Sequence, residues 1–252
     1  MAPAEATQDS VIRAEILSGW QTEDGHWMAG LKLQLAPGWK TYWRAPGDAG
    51  IPPSFDWTGS ENLESARISW PRPQVFYQNG MRTIGYSREV VLPIELVPGD
   101  KENPVSLKAE VALGVCHDIC MPVDLLVQTA LPGALQQAAP IRAALEQRPV
   151  PGDKAGVGAV TCHTDPIEDG LRLTAHIAMP ELGPREVAVI ETGDPTIWVS
   201  EAKVTRQGDQ LTAVSDLVPS GAGTFALDGS AVRITILSDG GKAIDIRGCP
   251  KG

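Results

Sequence analysis

"ALGVCHDICMPVDL", residues 112–125, decides how the first half of the chain is read. Val111, Leu113 and Val115 alternate into this stretch, and Val123, Leu125 and Val127 alternate out of it. Alternation of that kind builds strands with one apolar face, so the stretch reads as a hairpin with its chemistry at the tip. Were residues 116–120 fully extended, the two cysteine Cα atoms would lie about 13 Å apart at ~3.3 Å per residue, beyond the ~7 Å reach of a disulfide. The chain must therefore bend for the sulfurs to meet. His117 and Asp118 suit a bend, and Pro122 restricts Met121 and sets the return into the second strand.

Three chemistries are compatible with this pair: a reversible redox couple, an inert disulfide and a soft-metal clamp. A bridge across so small a loop removes little chain entropy, which favours a reversible couple over a staple. Thiol reactivity follows the thiolate, which a nearby positive or hydrogen-bonding group stabilises. His117 would help and Asp118 would oppose, so both are candidates for tuning the pair. Cys116, Cys120, His117 and Met121 are also ligands that suit Cu(I), and a C-x3-C followed by proline occurs in copper-delivery proteins of thioredoxin fold. The β pattern here lacks the helix-rich organisation of that fold. A purely structural immunoglobulin-like module is a third alternative, but it leaves the dithiol unexplained.

The rest of the chain supports a β architecture. Its 252 residues are 42% hydrophobic, with 26 Gly and 21 Pro scattered between short apolar runs. That composition builds strands and turns around a packed core. A formal net charge of -10 argues against nucleic acid as a partner, because phosphate binding needs a basic face. No apolar run nears the roughly 20 residues of a membrane span, so the chain reads as soluble, with a membrane involved only through a partner or a further domain. The polar start "MAPAEATQDS" reads as a mature N-terminus after removal of an export leader, with an added Met1.

Short alternating segments such as "LKLQLAPGW" and "VVLPIELVPGD" read as antiparallel strands up to about Val127. "PGALQQAAPIRAALEQRPVPGD" then changes rhythm to helix formers fenced by Pro132, Pro149 and Pro151, with Pro140 interrupting the helix or opening its second part. Strands resume from Val157. The expectation is all-β: two immunoglobulin-like β-sandwich domains, 1–132 and 153–252, joined by a short helical linker at 133–152. Cys162 lies in what reads as the first strand of the second domain and Cys249 follows its last one, which suits a structural disulfide. Closing that loop contributes up to about 4 to 5 kcal/mol in the chain-entropy model. Free thiols or a secondary redox couple, with His163 beside Cys162, are the rival readings. His26 and His176 are isolated, and Trp39, Trp43, Trp57 and Trp70 read as core packing.

Four blocks, "GWKTYWRAPGDAGIPPSFDW" (38–57), "WPRPQVF" (70–76), "IGYSREVVLPIEL" (84–96) and "GVCHDICMPVDL" (114–125), resemble the N-terminal periplasmic domain of the DsbD and ScsB thiol:disulfide interchange proteins. The resemblance is nearest to the ScsB branch, whose name is tied to copper tolerance and whose soluble portion has two immunoglobulin-like domains. It implies a periplasmic protein-disulfide reductase of relay type, with Cys116 and Cys120 as the redox pair and no cofactor beyond their disulfide. Cys120 would make the mixed disulfide with a partner and Cys116 would resolve it. The implied partners are a thioredoxin-like electron donor domain and a disulfide isomerase or ScsC-like client. Such domains shield their cysteines with an aromatic cap loop; "VFYQNG" at 75–80 falls in its place, so Phe76 and Tyr77 are the cap candidates. DsbD itself has a longer gap between its cysteines and acidic residues ahead of the cap aromatics, where this chain has C-x3-C and "PQV" at 73–75.

Overall fold

A computed structural model describes residues 8–47, 50–78, 80–133, 137–221 and 225–250; the opening residues 1–7 and Asn79 of the cap stretch lie outside them. The chain divides into two compact units, 1–148 and 149–252. The first contains β1 (Ile12–Gln21), β2 (Trp27–Leu35), β3 (Lys40–Tyr42), β4 (Ser54–Asp56), β5 (Leu63–Ile68), β6 (Gln74–Gln78), β7 (Met81–Ser87), β8 (Glu89–Pro98), β9 (Val105–Cys116) and β10 (Cys120–Leu131). These form a four-stranded sheet in the order β1-β2-β8-β5 and a six-stranded sheet in the order β10-β9-β3-β7-β6, with β4 also on β9. All of these pairings are antiparallel.

Alternation along β9 shows why these residues make a sandwich. Val105, Leu107, Ala109, Val111, Leu113 and Val115 are all buried, as are Val123, Val127 and Leu131 of β10. The opposite sheet contributes Leu31, Leu33, Leu92, Ile94 and Leu96. Period-2 burial on both sheets gives two apolar inner faces that can shed water only against each other.

The helix Ala138–Glu146 belongs to the first unit rather than to a free linker over 133–152. Pro140 sits in its first turn, where a missing N–H costs no intrahelical bond. Ile141 and Ala144 pack with Leu17 of β1 and Val91 of β8. Gly30 makes the seat: a Cβ there would come within 2.9 Å of Ile141 Cγ1 and 3.0 Å of Val91 Cγ1. Helix propensity was legible in the sequence, but the identity of the surface that buries Ile141 was not.

The second unit contains β11 (Val150–Pro151), β12 (Val160–Ile167), β13 (Gly170–Ala178), β14 (Val187–Glu191), β15 (Ile197–Val199), β16 (Lys203–Gln207), β17 (Gln210–Pro219), β18 (Arg233–Leu237) and β19 (Ala243–Arg247). One sheet runs β11-β19-β18-β14, with β11 parallel to β19; the other runs β12-β13-β17-β15, with β16 also on β17. Leu173, Ile177, Leu211, Leu217, Ile234 and Ile236 form its core. The architecture is all-β and immunoglobulin-like, and no helix among the described residues is long and apolar enough to cross a membrane.

Candidate functional site

The β9–β10 register sets Cys116 directly opposite Cys120. The two sulfurs are bonded, with a Cα–Cα distance of 4.1 Å. The bend that the sequence demands is the turn His117–Ile119, closed by the His117 N–H donating to the Ile119 carbonyl at 3.0 Å. So short a Cα separation marks a position in the ladder where the facing residues do not hydrogen-bond to each other. The Cys116 main chain faces β3 instead, where its partner is Lys40. Since Val115 and Val123 point into the core, the cysteines point the other way, onto the outer face of the six-stranded sheet. They are not equivalent there: Cys116 is 7% exposed, while Cys120 is open to solvent.

What covers Cys116 is Tyr42, the next residue but one to Lys40 on β3. Its hydroxyl lies 2.9 Å from Cys116 Sγ and 3.4 Å from Cys120 Sγ. Two features hold the ring there. Thr41 Oγ1 donates to the Gly114 carbonyl at 2.9 Å, tying β3 to β9. Gly114 leaves room above the sheet, since a Cβ at that position would come within 3.1 Å of the Tyr42 ring and 2.9 Å of Ile51 Cβ. Burial pushes the Tyr42 phenol above its ordinary pKa, so the hydroxyl keeps its proton as a donor through neutral pH. A proton donor held against a sulfur can stabilise the thiolate released when the disulfide opens.

His117 and Asp118 pair with each other, Nδ1 to Oδ2 at 2.9 Å, and both are exposed. The His117 ring lies beside Trp39, with centroids 5.8 Å apart, and against Gly38, where a Cβ would come within 2.6 Å of it. These contacts anchor the turn to the Gly38–Trp39 segment. Met121 alternates to the opposite face of β10 from Cys120, so the sulfurs and Met121 do not converge as a copper set. Among the described residues no group of three or more His, Cys, Asp or Glu is arranged to hold a metal ion.

Register also separates the two cap candidates. Phe76 shares the outer face with Gln74, Gln78 and, across β7, Lys40 and Tyr42, whereas Tyr77 alternates to the other face and is 56% exposed. Lys40 Nζ lies 4.7 Å from the centre of the Phe76 ring and donates to Gln78 Oε1 at 3.2 Å. Gln78 Nε2 in turn reaches the His117 carbonyl at 3.5 Å. A polar chain thus runs from the cap strand to the cysteine turn.

Sequence reasoning missed Tyr42 and Lys40. Both lie in the block "GWKTYW", and the signal available was their i, i+2 spacing, which puts them on one face of a strand. Of the four tryptophans expected in the core, only Trp43 is buried. Trp39 stands at the site, and Trp57 and Trp70 are half-buried around Phe55, at 5.8 Å and 6.2 Å between ring centres. In the second unit Cys162 and Cys249 are bonded, with a Cα–Cα distance of 5.4 Å, and both are buried in its core cluster. His163 points away to Asp165, His26 pairs with Glu95, and His176 meets Thr212.

Residues 9–132 match the family described as thiol:disulfide interchange protein DsbD, N-terminal. The fold as a whole is similar to the crystal structure of the N-terminal periplasmic domain of ScsB from Proteus mirabilis, with a TM-score of 0.72 and 25% sequence identity, covering 98% of this chain and 97% of that one. No curated protein sequence matches the chain. The hairpin-tip disulfide, the matched segment that contains it and the shared fold agree, and residues 9–132 belong to the DsbD N-terminal family of thiol:disulfide interchange domains.

Proposed function

We propose that the chain is a periplasmic relay that carries electron pairs through the Cys116–Cys120 dithiol to client proteins, receiving them from a thioredoxin-like donor. The observation that carries this reading is the asymmetry of the pair: one cysteine open to solvent, its bonded neighbour buried under a hydroxyl. Cys120 is the sulfur that a partner attacks and holds in the mixed disulfide. Cys116 leaves as a thiolate, is stabilised by Tyr42 and later resolves the mixed disulfide. Phe76 acts as the cap on the outer face, held by Lys40, while Tyr77, on the other face of its strand, does not shield the sulfurs. Cys162–Cys249 is the structural bridge of the second unit.

The test is direct. Oxidised protein is mixed with a purified, reduced thioredoxin-fold dithiol protein, and the Cys116→Ser variant is used to trap the mixed disulfide. Stoichiometric exchange that disappears in Cys120→Ser, together with a trapped adduct at Cys120, is the expected result. A Cys116/Cys120 reduction potential below about -300 mV with no exchange would instead mark a stable structural bridge. Replacing Phe76 by Ala should speed attack on the disulfide, and replacing Tyr77 should not.

A further inference from the structure

Opening the disulfide puts a negative charge on Cys116, and the residue that faces it across the β3–β9 pairing is a lysine. Lys40 and Cys116 are register partners, so their side chains leave the same face of the sheet from Cα atoms about 4.5–5.5 Å apart. Lys40 is half-buried. With the disulfide closed, its ammonium is held by the cap strand, 4.7 Å from the centre of the Phe76 ring and 3.2 Å from Gln78 Oε1. Both of these partners are neutral. A ring face and an amide oxygen are modest partners for an ammonium, whereas a thiolate carries a full charge.

The other groups around Cys116 single Lys40 out. On β3, Tyr42 supplies a hydroxyl that keeps its proton. In the turn, His117 and Asp118 pair with each other and are both exposed, so the field of one opposes that of the other. On β10, Asp124 stands on the same face as Cys120, four residues beyond it. Among the described residues that flank the sulfur, Lys40 supplies the positive charge that is matched by a ring and an amide rather than by a carboxylate.

We infer that Lys40 is a positioning residue for the exchange reaction: its ammonium, held on Phe76 and Gln78 while the disulfide is closed, turns to the Cys116 thiolate when the disulfide opens. This rests on the exchange reading above and adds the group that meets the new charge from the β3 side, opposite Cys120. In the step, a partner thiolate forms a bond to Cys120 Sγ, the Cys116–Cys120 bond breaks, and its electron pair stays on Cys116. No proton moves, since the ammonium and the Tyr42 hydroxyl both keep theirs. The cap is coupled to the chemistry through the same ammonium. At the sulfur it no longer holds Phe76, so opening the disulfide loosens the cap strand; conversely, removing Phe76 frees the ammonium for the sulfur. The two effects are one linked equilibrium and must be reciprocal.

The test reads the Cys116 pKa from thiolate absorbance against pH, in the full chain carrying Cys120→Ser with Cys162–Cys249 left bonded. Lys40→Met, which keeps much of the apolar stem and removes the charge, should raise that pKa by about one unit, and Lys40→Arg should hold it within a few tenths of the parent. Salt at about 1 M should shrink the difference. Phe76→Ala should lower the pKa by roughly half a unit when Lys40 is present and leave it unchanged beside Lys40→Met. A lysine that only braces the cap would alter the rate of attack on the disulfide and not this pKa. With both cysteines present and the pH above their pKa values, Lys40→Met should make the potential about 30 mV more negative, a tenfold change in the equilibrium constant. A Lys40→Met pKa within a few tenths of the parent, or a Phe76→Ala shift of equal size in both backgrounds, would overturn the assignment. Shifts as expected with no exchange toward the thioredoxin-fold protein would sink the relay and leave the role of Lys40 standing; exchange without the shifts would sink Lys40 alone.

Discussion

Removing the hydroxyl of Tyr42 isolates the chemistry of the site from its architecture. In the oxidised protein the hydroxyl, 2.9 Å from Cys116 Sγ, donates to a bonded sulfur, a weak acceptor. Once Cys116 is a thiolate the same contact becomes a hydrogen bond to a charge, worth about 1.5–3 kcal/mol. Tyr42→Phe should therefore raise the pKa of the Cys116 thiol by about 1 to 2 units, since one unit is ~1.4 kcal/mol. With roughly half of that charge developed on the leaving sulfur at the transition state, attack on Cys120 should slow about 4- to 12-fold. At a pH above the thiol pKa the reduced form loses the same stabilisation, and the potential should become more negative by about 30–60 mV for this two-electron couple. Stability should change by no more than about 1 kcal/mol, because the group left behind is sulfur rather than an orphaned strong donor. Thiolate absorbance titrated against pH in the reduced protein reads the first quantity directly, and stopped-flow reduction by a monothiol reads the second. A Cys116 pKa within a few tenths of a unit of the wild type would refute the assignment of Tyr42.

Gly114→Ala should destabilise the first unit by about 1–3 kcal/mol in chemical denaturation, since its Cβ would press on Ile51 and the Tyr42 ring, and should shift the Cys116 pKa in the same direction as Tyr42→Phe. Replacing Cys162 and Cys249 together by Ala should cost the second unit about 2–5 kcal/mol, with the exchange rate at Cys120 unchanged; a matching loss of exchange would point to a second redox couple instead. The Asp216 carboxyl is held below its ordinary range, first by the Arg172 guanidinium, with contacts at 2.7 Å and 3.0 Å. A depressed carboxylate adds stability that is present above its unfolded pKa and lost as pH falls through the folded one, so Asp216→Asn should flatten the acid limb of the second unit's stability profile. An unchanged acid limb would count against that pair.

Period-2 alternation around residues 112–125 determined the hairpin, the apolar faces and the all-β class from the sequence alone, because a strand's burial pattern is written in successive residues. The bend between Cys116 and Cys120 was legible for the same local reason: an extended path cannot bring the sulfurs together. Helix formers at 138–146 announced a helix as well. The seat of that helix was not legible, since it depends on Gly30 of β2 lying beside Val91 of β8, residues 61 positions apart in the chain. Tyr42 and Lys40 were hidden similarly: 74 positions separate Tyr42 from Cys116. Only the pairing of β3 with β9 makes them neighbours. The register of β6 likewise distinguished Phe76 from Tyr77, which adjacency in the sequence could not. Local physics, acting over a few residues, specified the elements and the dithiol; which face the disulfide occupies and which sulfur is covered were decided by long-range strand pairing.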